Sequence, residues 1–317
     1  MRVLVTGAAG FVGRHLVREL AAHGHTVDAL DLAPPVPAVD GAASTTALDL
    51  RVADRVEALF ERCAPEACVH LAAVASVAAC EADPRMAFDA NAMTTLHLLE
   101  AVRRAAPGAA VLTVSTAQVY APAPDDRALD ETAPLEPQSL YGVTKLSADL
   151  LTLFYARRYG LRAMTARPVN HIGPGQSPAY VVPALARQVA AVAGGPAAPV
   201  LRAGTLECTR DFLDVRDTVR GYRLLLERGR AGRAYNLAGG RRHRVGEVLE
   251  RLCRVAGVRP AIERDPARYR PTDASPRLDT ARIAADTGWA PEIPLDRTLE
   301  EVYAEAVACP AGSPGPV

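Results

Sequence analysis

The stretch Val3-Leu-Val-Thr-Gly7-Ala-Ala-Gly10-Phe11-Val12-Gly13-Arg-His-Leu16 constrains this chain more than any other. A short β-branched run stops at a glycine, and the apolar residues that follow, Phe11, Val12, Leu16, Val17 and Leu20, mark the inner side of an amphipathic helix. Three spaced glycines between a strand and a helix have separate uses. Gly7 permits a tight turn, Gly10 lets backbone approach a pyrophosphate, and Gly13 lets the helix pack close to the strand. The helix N-terminus then offers unpaired N–H groups and the positive end of its dipole to phosphate.

A second strand, Thr26 to Leu30, ends in Asp31, at the distance where such a unit places an acidic residue on the adenosine ribose hydroxyls. A carboxylate accepts two hydroxyl hydrogen bonds and repels a 2′-phosphate, so NAD(H) is expected rather than NADP(H). Arg14 is the nearby residue able to take a phosphate.

Strand and helix then keep alternating. A strand closes on Ala47-Leu48-Asp49-Leu50, with Asp49 placed to accept from the adenine amino group; a helix covers about 52–63, and a strand Ala67 to Leu71 is followed by the small residues Ala72 and Ala73 where a cofactor passes close. A helix over 84–106, a strand Ala110 to Val114, a helix over 139–159 and a strand Leu161 to Arg167 complete the series. This alternation predicts an α/β fold, a Rossmann-type doubly wound parallel sheet. From Pro168 the loops lengthen and Pro and Gly cluster, as in Gly173-Pro-Gly175 and Gly194-Gly-Pro196. The expected organisation is a NAD-binding domain over 1–167 with one more sheet strand near 233–238. A smaller, discontinuous C-terminal substrate domain follows over 168–232 and 239–309, with helices near 245–256, 279–287 and 295–308, and a flexible tail over 310–317.

With 36 basic and 36 acidic residues the formal net charge is zero and no run of one sign stands out, which gives no electrostatic basis for binding nucleic acid or a membrane surface. No apolar run reaches the ~20 residues of a membrane helix, and residue 3 already begins a strand, so a cytoplasmic protein without a signal segment is expected. The six cysteines lack a Cys-x-x-Cys pair or a histidine cluster, so reduced, mostly buried thiols and no metal site are expected.

Tyr141 and Lys145 are one helical turn apart, which puts phenol and ammonium on one face. A phenol ionises near pH ~10 and is a poor base. A lysine and an oxidised nicotinamide beside it both favour the phenolate and bring its pKa towards neutrality. Ser115 and Thr116 end the fifth predicted strand at its carboxyl edge, where open parallel sheets bind ligands, and a hydroxyl there can hold the reacting oxygen. Together these groups suit transfer of a proton to or from an alcohol oxygen while a hydride passes between its carbon and a nicotinamide.

Thr6-Gly-x-x-Gly-x-x-Gly13, Asp31, Asp49-Leu50, His70-Leu71-Ala72-Ala73, Asn91, Ser115-Thr116-Ala-Gln118-Val-Tyr120 and Tyr141-x-x-x-Lys145 together resemble the extended short-chain dehydrogenase/reductases that act on nucleotide sugars. The resemblance covers nearly the whole chain. It implies catalysis by Thr116, Tyr141 and Lys145. It implies NAD held by Gly7, Gly10, Phe11, Val12, Gly13, Asp31, Asp49, Leu50, Leu71, Ala72, Ala73, Asn91, Tyr141 and Lys145. It further implies a nucleoside-diphosphate sugar as substrate and a homodimer formed through the helices at 84–106 and 139–159.

The C-terminal half is similar to GDP-4-keto-6-deoxy-mannose reductases in Arg167-Pro-Val-Asn170-His-Ile-Gly-Pro-Gly-Gln176, Val181-Val182-Pro-Ala-Leu-Ala-Arg187-Gln188, Thr209-Arg210-Asp-Phe-Leu-Asp-Val-Arg-Asp217 and Asp265-Pro-Ala-Arg-Tyr-Arg270-Pro-Thr-Asp273. Asn170 offers an amide that donates and accepts, and Arg187, Arg210 and Arg270 offer forked donors for a diphosphate. Ser115, Gln118 and Val182 complete the expected substrate contacts. A GDP-sugar is favoured, while uracil and thymine stay open on physical grounds.

A 4,6-dehydratase of this family needs an acidic pair just after the active-site threonine. Ala117-Gln118 can do no acid–base work, which argues against dehydration. The motif Ser-Thr-Ala-Gln-Val-Tyr and Asp31 resemble 4-epimerases, which keep one NAD, oxidise C4 and return the hydride to the other face. The substrate loops resemble 4-ketoreductases, which draw hydride from exchangeable NAD(P)H and stop. Cofactor handling separates these outcomes, so the expectation is a 4-epimerase, with a GDP-4-keto-6-deoxyhexose 4-reductase as the alternative. The chain departs from reductases in lacking acidic residues near 118, and from both groups in Ala121 where glycine is usual. A non-catalytic cofactor sensor is the alternative of another class, against which the intact Tyr141-Lys145 pair argues, because fold alone decides no function.

Overall fold

The computed structural model describes residues 1–32, 36–123, 126–195, 200–265 and 275–309. The chain begins with β1 (Arg2–Thr6), α1 (Phe11–Ala22), β2 (Thr26–Asp31), β3 (Ser44–Ala47), α2 (Ala53–Cys63) and β4 (Ala67–His70). It continues through α3 (Val77–Ala82), α4 (Pro84–Phe88), one π-helical turn (Asp89–Met93), α5 (Thr94–Ala105), β5 (Ala110–Val114), α6 (Leu140–Tyr159) and β6 (Ala163–Pro168). Beyond these lie β7 (Asn170–Ile172), α7 (Val181–Gly194), β8 (Val200–Ala203), β9 (Thr209–Asp214), α8 (Val215–Arg228) and β10 (Ala234–Leu237). The last are β11 (Arg242–Arg244), α9 (Val245–Ala256), β12 (Ala261–Arg264), α10 (Ala281–Thr287) and α11 (Leu295–Ala308).

One sheet carries seven strands in the order β10-β6-β5-β4-β1-β2-β3, and every neighbouring pair in it is parallel. The order reverses between β1 and β4, which opens a ligand crevice at the carboxyl ends of the strands. Helices cover both faces, so the central strands are buried throughout and read as unbroken apolar runs. On one face Leu4, Leu30, Cys68, Val111 and Ala163, one from each of five strands, pack against Leu59 and Phe60 of α2, Leu98 and Leu99 of α5 and Tyr155 of α6. On α1, Leu16, Val17 and Leu20 are buried. Arg223 of α8 binds Glu19 of α1 at 2.7 Å and Glu227 of its own helix at 3.0 Å. This is the Rossmann-type doubly wound architecture that the alternation predicts.

Two compact units result. The first comprises Met1–Val169, Thr218–Leu237 and Leu278–Ala290, and the second comprises Asn170–Asp217, the described part of Ala238–Arg277 and the described residues from Pro291 on. This corrects the expected boundaries, because most of α8 and all of α10 belong with the large sheet. Their packing explains why. A Cβ on Gly221 of α8 would lie 2.5 Å from Leu237 of β10 and 3.1 Å from the Trp289 indole nitrogen, and Asp286 of α10 accepts from the Tyr235 hydroxyl of β10 at 2.7 Å. The second unit has its own core of Leu185, Val189, Phe212, Val248, Leu252, Leu299 and Val302 around a small β11-β9-β7 sheet.

Three local expectations also change. The helix over 84–106 is interrupted by the π-helical turn, whose one extra residue per turn rotates the side chains after it. The third strand stops at Ala47, leaving Leu48 to Leu50 outside it. Of the six free cysteines only Cys68 and Cys80 are fully buried. The expected tail over 310–317 and Arg270 lie outside the described residues. Among those described, no helix is long and apolar enough to cross a membrane.

Candidate active site

The glycine-rich turn has the shape that its spacing requires. Gly7 has φ +67°, and a Cβ there would meet the Ala72 backbone nitrogen at 2.9 Å. At Gly13 a Cβ would sit 2.2 Å from the Gly7 oxygen, and at Gly10 the same oxygen leaves only 3.2 Å. No side chain caps the N-terminus of α1. Phe11 and Val12 are half-exposed in its first turn instead of facing inwards, while Gly13 is buried. Thr6 ties the turn to the next strand, because its hydroxyl accepts from the Ala72 N–H at 3.2 Å and lies 2.8 Å from His70 Nδ1. Leu71, Ala72 and Ala73 stay half-exposed beside it.

Asp31 turns towards this loop, where its carboxylate accepts from the Ala9 N–H at 2.9 Å and from the Leu32 N–H at 2.8 Å. Arg14 donates to the Ala9 carbonyl at 2.9 Å. A cradle too tight for side chains, an uncapped helix start and an acidic group at the end of β2 fit a dinucleotide. Two expected cofactor residues behave otherwise. Asp49 is chelated by Arg51 at 2.7 and 2.9 Å, a hydrogen bond that holds it below the usual carboxylate range, so it is not a bare acceptor awaiting adenine. Leu50 is buried in the core, with its carbonyl accepting from His97.

Asn91, on the π-helical turn, is also fully engaged. Its amide accepts from the Val74 N–H at 2.7 Å and donates to the Val74 carbonyl at 3.1 Å and the Thr144 hydroxyl at 2.9 Å. It therefore fixes the loop after β4 onto α6, next to Lys145, instead of presenting a free amide to a cofactor.

Thr116, two residues past the end of β5, is extended, and its hydroxyl accepts from the Gln118 N–H at 3.3 Å. Its own O–H stays able to donate. The Ser115 hydroxyl donates to the Lys145 carbonyl at 3.4 Å, which ties β5 to α6. Ser139 caps α6 through the Gly142 N–H at 3.1 Å. A Cβ on Gly142 would come within 2.9 Å of the Gln118 carbonyl, so a glycine after Tyr141 is what lets the start of α6 press on the turn after Thr116. Gln118 itself is exposed, with its amide oxygen 3.5 Å from the Ser139 hydroxyl.

Lys145 is buried, and burial lowers its pKa to about 8 against the opposing charges of Asp149 and Cys80, with no hydrogen bond among the influences on it. Burial, and then the charge of Lys145, lowers His70 to about 3, so this imidazole is neutral. Beneath them runs a network that sequence reasoning missed. Arg167 of β6 forks onto Asp149 at 2.8 and 3.1 Å and donates to the Tyr120 hydroxyl at 3.0 Å, and Tyr120 donates to Asn236 at 2.6 Å. Its members lie 18 to 116 residues apart, and nothing local in the sequence marks them.

In the second unit, the Asn170 amide lies 3.5 Å from the Ser275 hydroxyl, Arg187 lines a pocket with Gly175, Gln176, Pro183 and Glu305, and Arg210 donates to the Thr209 carbonyl. Val182 packs in the core at 1% exposure, so its side chain is not turned to a substrate as expected. With Arg270 outside the described residues, two side chains of the expected diphosphate clamp can be placed.

Comparison with known proteins accords with this geometry. Residues 3–238 match the NAD dependent epimerase/dehydratase family. Over 306 residues the chain is 36% identical to a GDP-6-deoxy-D-mannose reductase of Pseudomonas aeruginosa, covering 96% of both sequences. The structure of RMD from Pseudomonas aeruginosa complexed with NADPH superposes with a TM-score of 0.84 at 34% identity, covering 97% of this chain and 99% of that one. Thermus thermophilus UDP-glucose 4-epimerase in complex with NAD superposes with a TM-score of 0.84 at 32% identity, covering 96% and 99%. With its glycine cradle, its Tyr141-Lys145 pair and a match across most of its length, the chain is an enzyme of the NAD dependent epimerase/dehydratase family.

Proposed function

We propose that the protein is an NAD(P)H-dependent 4-ketoreductase acting on a GDP-4-keto-6-deoxyhexose. The observation that carries this reading is the 36% identity to a GDP-6-deoxy-D-mannose reductase along nearly the full length of both chains. The Ala117-Gln118 turn after Thr116 has no acid or base to remove a C5 proton, which argues against dehydration and leaves the epimerase and the ketoreductase. The identity to a reductase moves the weight from the 4-epimerase, expected from cofactor handling, to the ketoreductase.

The cofactor would lie on the Gly7-Gly10-Gly13 turn and against Asp31, and when bound it supplies a hydride to C4 of the sugar. The chain supplies the rest. Thr116 donates a hydrogen bond to the C4 carbonyl oxygen and polarises it, and Tyr141 gives that oxygen its phenolic proton as negative charge develops there. Lys145, cationic below about pH 8, stabilises the phenolate left behind. Asn91 and Ser115 keep α6 and the loop after β4 in register. Arg187 and Arg210 are assigned to the diphosphate. We infer also that two copies pair through Phe88, Met93, Val143, Leu150 and Phe154, apolar side chains left exposed on α4, the π-helical turn and α6. Six free thiols suit the cytoplasm.

A 4-epimerase is the second reading, favoured by the Asp31 carboxylate at the glycine turn, which opposes a 2′-phosphate. One preparation separates the two. Offered GDP-4-keto-6-deoxymannose, a ketoreductase consumes NADH or NADPH in proportion to the ketone and does nothing without it. Conversion of a GDP-hexose to its C4 epimer by retained cofactor, with no added reductant, would overturn the proposal. Cofactor binding without turnover across a GDP-sugar panel would point to a sensor.

A further inference from the structure

Glu81 is an exposed carboxylate on the six-residue helix α3, and one of its oxygens accepts from the Leu140 N–H at 2.9 Å. Leu140 opens α6, so its N–H is one of the first donors of the helix, which have no partner within it. Tyr141 is the next residue. Its carbonyl accepts from the Thr144 hydroxyl at 2.8 Å, and Asn91 in turn donates to that hydroxyl at 2.9 Å. On its other side Gly142 gives its N–H to the Ser139 hydroxyl at 3.1 Å. Ser139 and Thr144 belong to the same turn as Tyr141, whereas Glu81 and Asn91 reach this turn from other elements.

Both outside supports start from one place. Cys80, beside Glu81, is fully buried, and its thiol donates to the Val74 carbonyl at 3.5 Å, the same carbonyl that takes the Asn91 amide at 3.1 Å. Ser76 caps α3 through the Ala79 N–H at 3.2 Å. Val74 directly follows Leu71-Ala72-Ala73, the passage beside the glycine turn. One path runs from Val74 through Asn91 to Thr144 and the other through Cys80 and Glu81 to Leu140, with Tyr141 between their ends. A carboxylate at an exposed helix start adds little to stability. A reacting group displaced by ~1 Å, in contrast, loses as much as about a hundredfold in rate. Resting on Tyr141 as the proton donor of the proposed reaction, we infer that Glu81 is a positioning residue for it. By holding the first N–H of α6, its carboxylate sets where the Tyr141 phenol stands relative to the loop after β4 and to Lys145.

The test compares Glu81→Ala, which cannot reach Leu140, with Glu81→Gln, whose amide oxygen still accepts from it. Both variants lose the same charge, so a difference between them reports the hydrogen bond and not the field of the carboxylate on Tyr141 and Lys145. With ketosugar, assayed well below Tm, Glu81→Ala should lose about tenfold in kcat at unchanged KM for cofactor and ketosugar, and Glu81→Gln should recover most of that loss. Ultraviolet titration of phenolate, taken as the difference between proteins with and without Tyr141→Phe, isolates Tyr141 and needs no substrate. Tyr141 should titrate about half a pH unit higher in Glu81→Ala than in Glu81→Gln, roughly a threefold change in phenolate at fixed pH, as the phenol shifts away from Lys145. A Glu81→Ala enzyme no slower than Glu81→Gln, or one whose only loss is in Tm, would overturn the inference. Separate titrations of the two variants, in a protein whose parent reduces no ketosugar, would support the positioning role while overturning the reductase reading; coincident titrations there would overturn both.

Discussion

Two of the cations buried in the first unit, Arg167 and Lys145, are treated in opposite ways. Arg167, 2% exposed, forks onto Asp149, meets the Tyr120 hydroxyl and lies over the Tyr120 ring at 5.2 Å, and Asp149 keeps its guanidinium firmly charged against burial. Lys145, 4% exposed, has no hydrogen-bonded anion and is lowered to about 8. Both respond to the same carboxylate, since Asp149 lies one helical turn after Lys145, but its oxygens are committed to Arg167. A buried cation with its anion in hydrogen-bond contact is a fixture, and removing one partner strands the other. A buried cation left short of negative charge is poised to favour any anion that forms beside it, and the group one turn before it is Tyr141. The two ends of this stretch of α6 should therefore fail differently, one in rate and the other in stability.

The largest effect is expected at the catalytic end. Tyr141→Phe should lower kcat by about 10²- to 10⁴-fold, the range that a positioned acid contributes, while cofactor affinity and Tm stay near their parent values. Steady-state turnover and cofactor fluorescence titration check this, and surviving activity would remove Tyr141 as the proton donor. At the other end Arg167→Met should cost about 3–5 kcal/mol of stability by leaving Asp149 buried and uncompensated. Denaturant unfolding measures it, and adding Asp149→Leu should recover much of the loss. A single Arg167 variant as stable as the parent would erase the distinction between the two cations.

Lys145→Met joins the two ends in one experiment. It should reduce kcat without reducing stability, and the stability difference should depend on pH in a defined direction. The lysine pKa is lowered on folding from 10.5 to about 8, so below about pH 8 it is charged in both states and the burial penalty is fully present. Between about 8 and 10.5 the unfolded chain binds more protons, and the parent gains stability as pH rises. The variant should thus exceed the parent by on the order of 3 kcal/mol at neutral pH and lose that margin by about pH 10.5. A margin independent of pH would mean that the ammonium is neutralised by a partner after all.

What was legible in the sequence follows the same division. Gly7, Gly10 and Gly13 could be read because one strand-turn-helix passage fixes their geometry, and Tyr141 and Lys145 because one helical turn does. Arg167, Asp149, Tyr120 and Asn236 form one network across the fold, and no spacing announces them. The interruption at Asn91 was illegible for a related reason: the bonds that tie the π-helical turn down run to Val74 and Thr144, 17 and 53 residues away. The Pro- and Gly-rich texture after Pro168 reads as a discontinuous substrate domain, yet most of α8 and all of α10 return to the large sheet. Their assignment depends on Gly221 against Leu237 and on Asp286 against Tyr235, which are contacts between distant residues.

The smallest effect concerns Asp31, which was legible in position but not in behaviour. Its carboxylate accepts from the Ala9 N–H and so braces the glycine turn from below, besides standing where ribose hydroxyls are expected. Asp31→Ala removes both contributions. Loosening of the turn weakens every dinucleotide, whereas loss of the carboxylate penalises NADH alone and relieves the repulsion of a 2′-phosphate, with Arg14 close by on the same turn. The kcat/KM ratio of NADH to NADPH should therefore fall by roughly tenfold, about one good hydrogen bond to a charged group, while both absolute values decline. Equal declines with an unchanged ratio would reduce Asp31 to a brace for Ala9 and leave the cofactor choice with Arg14, a cation, and so with the 2′-phosphate.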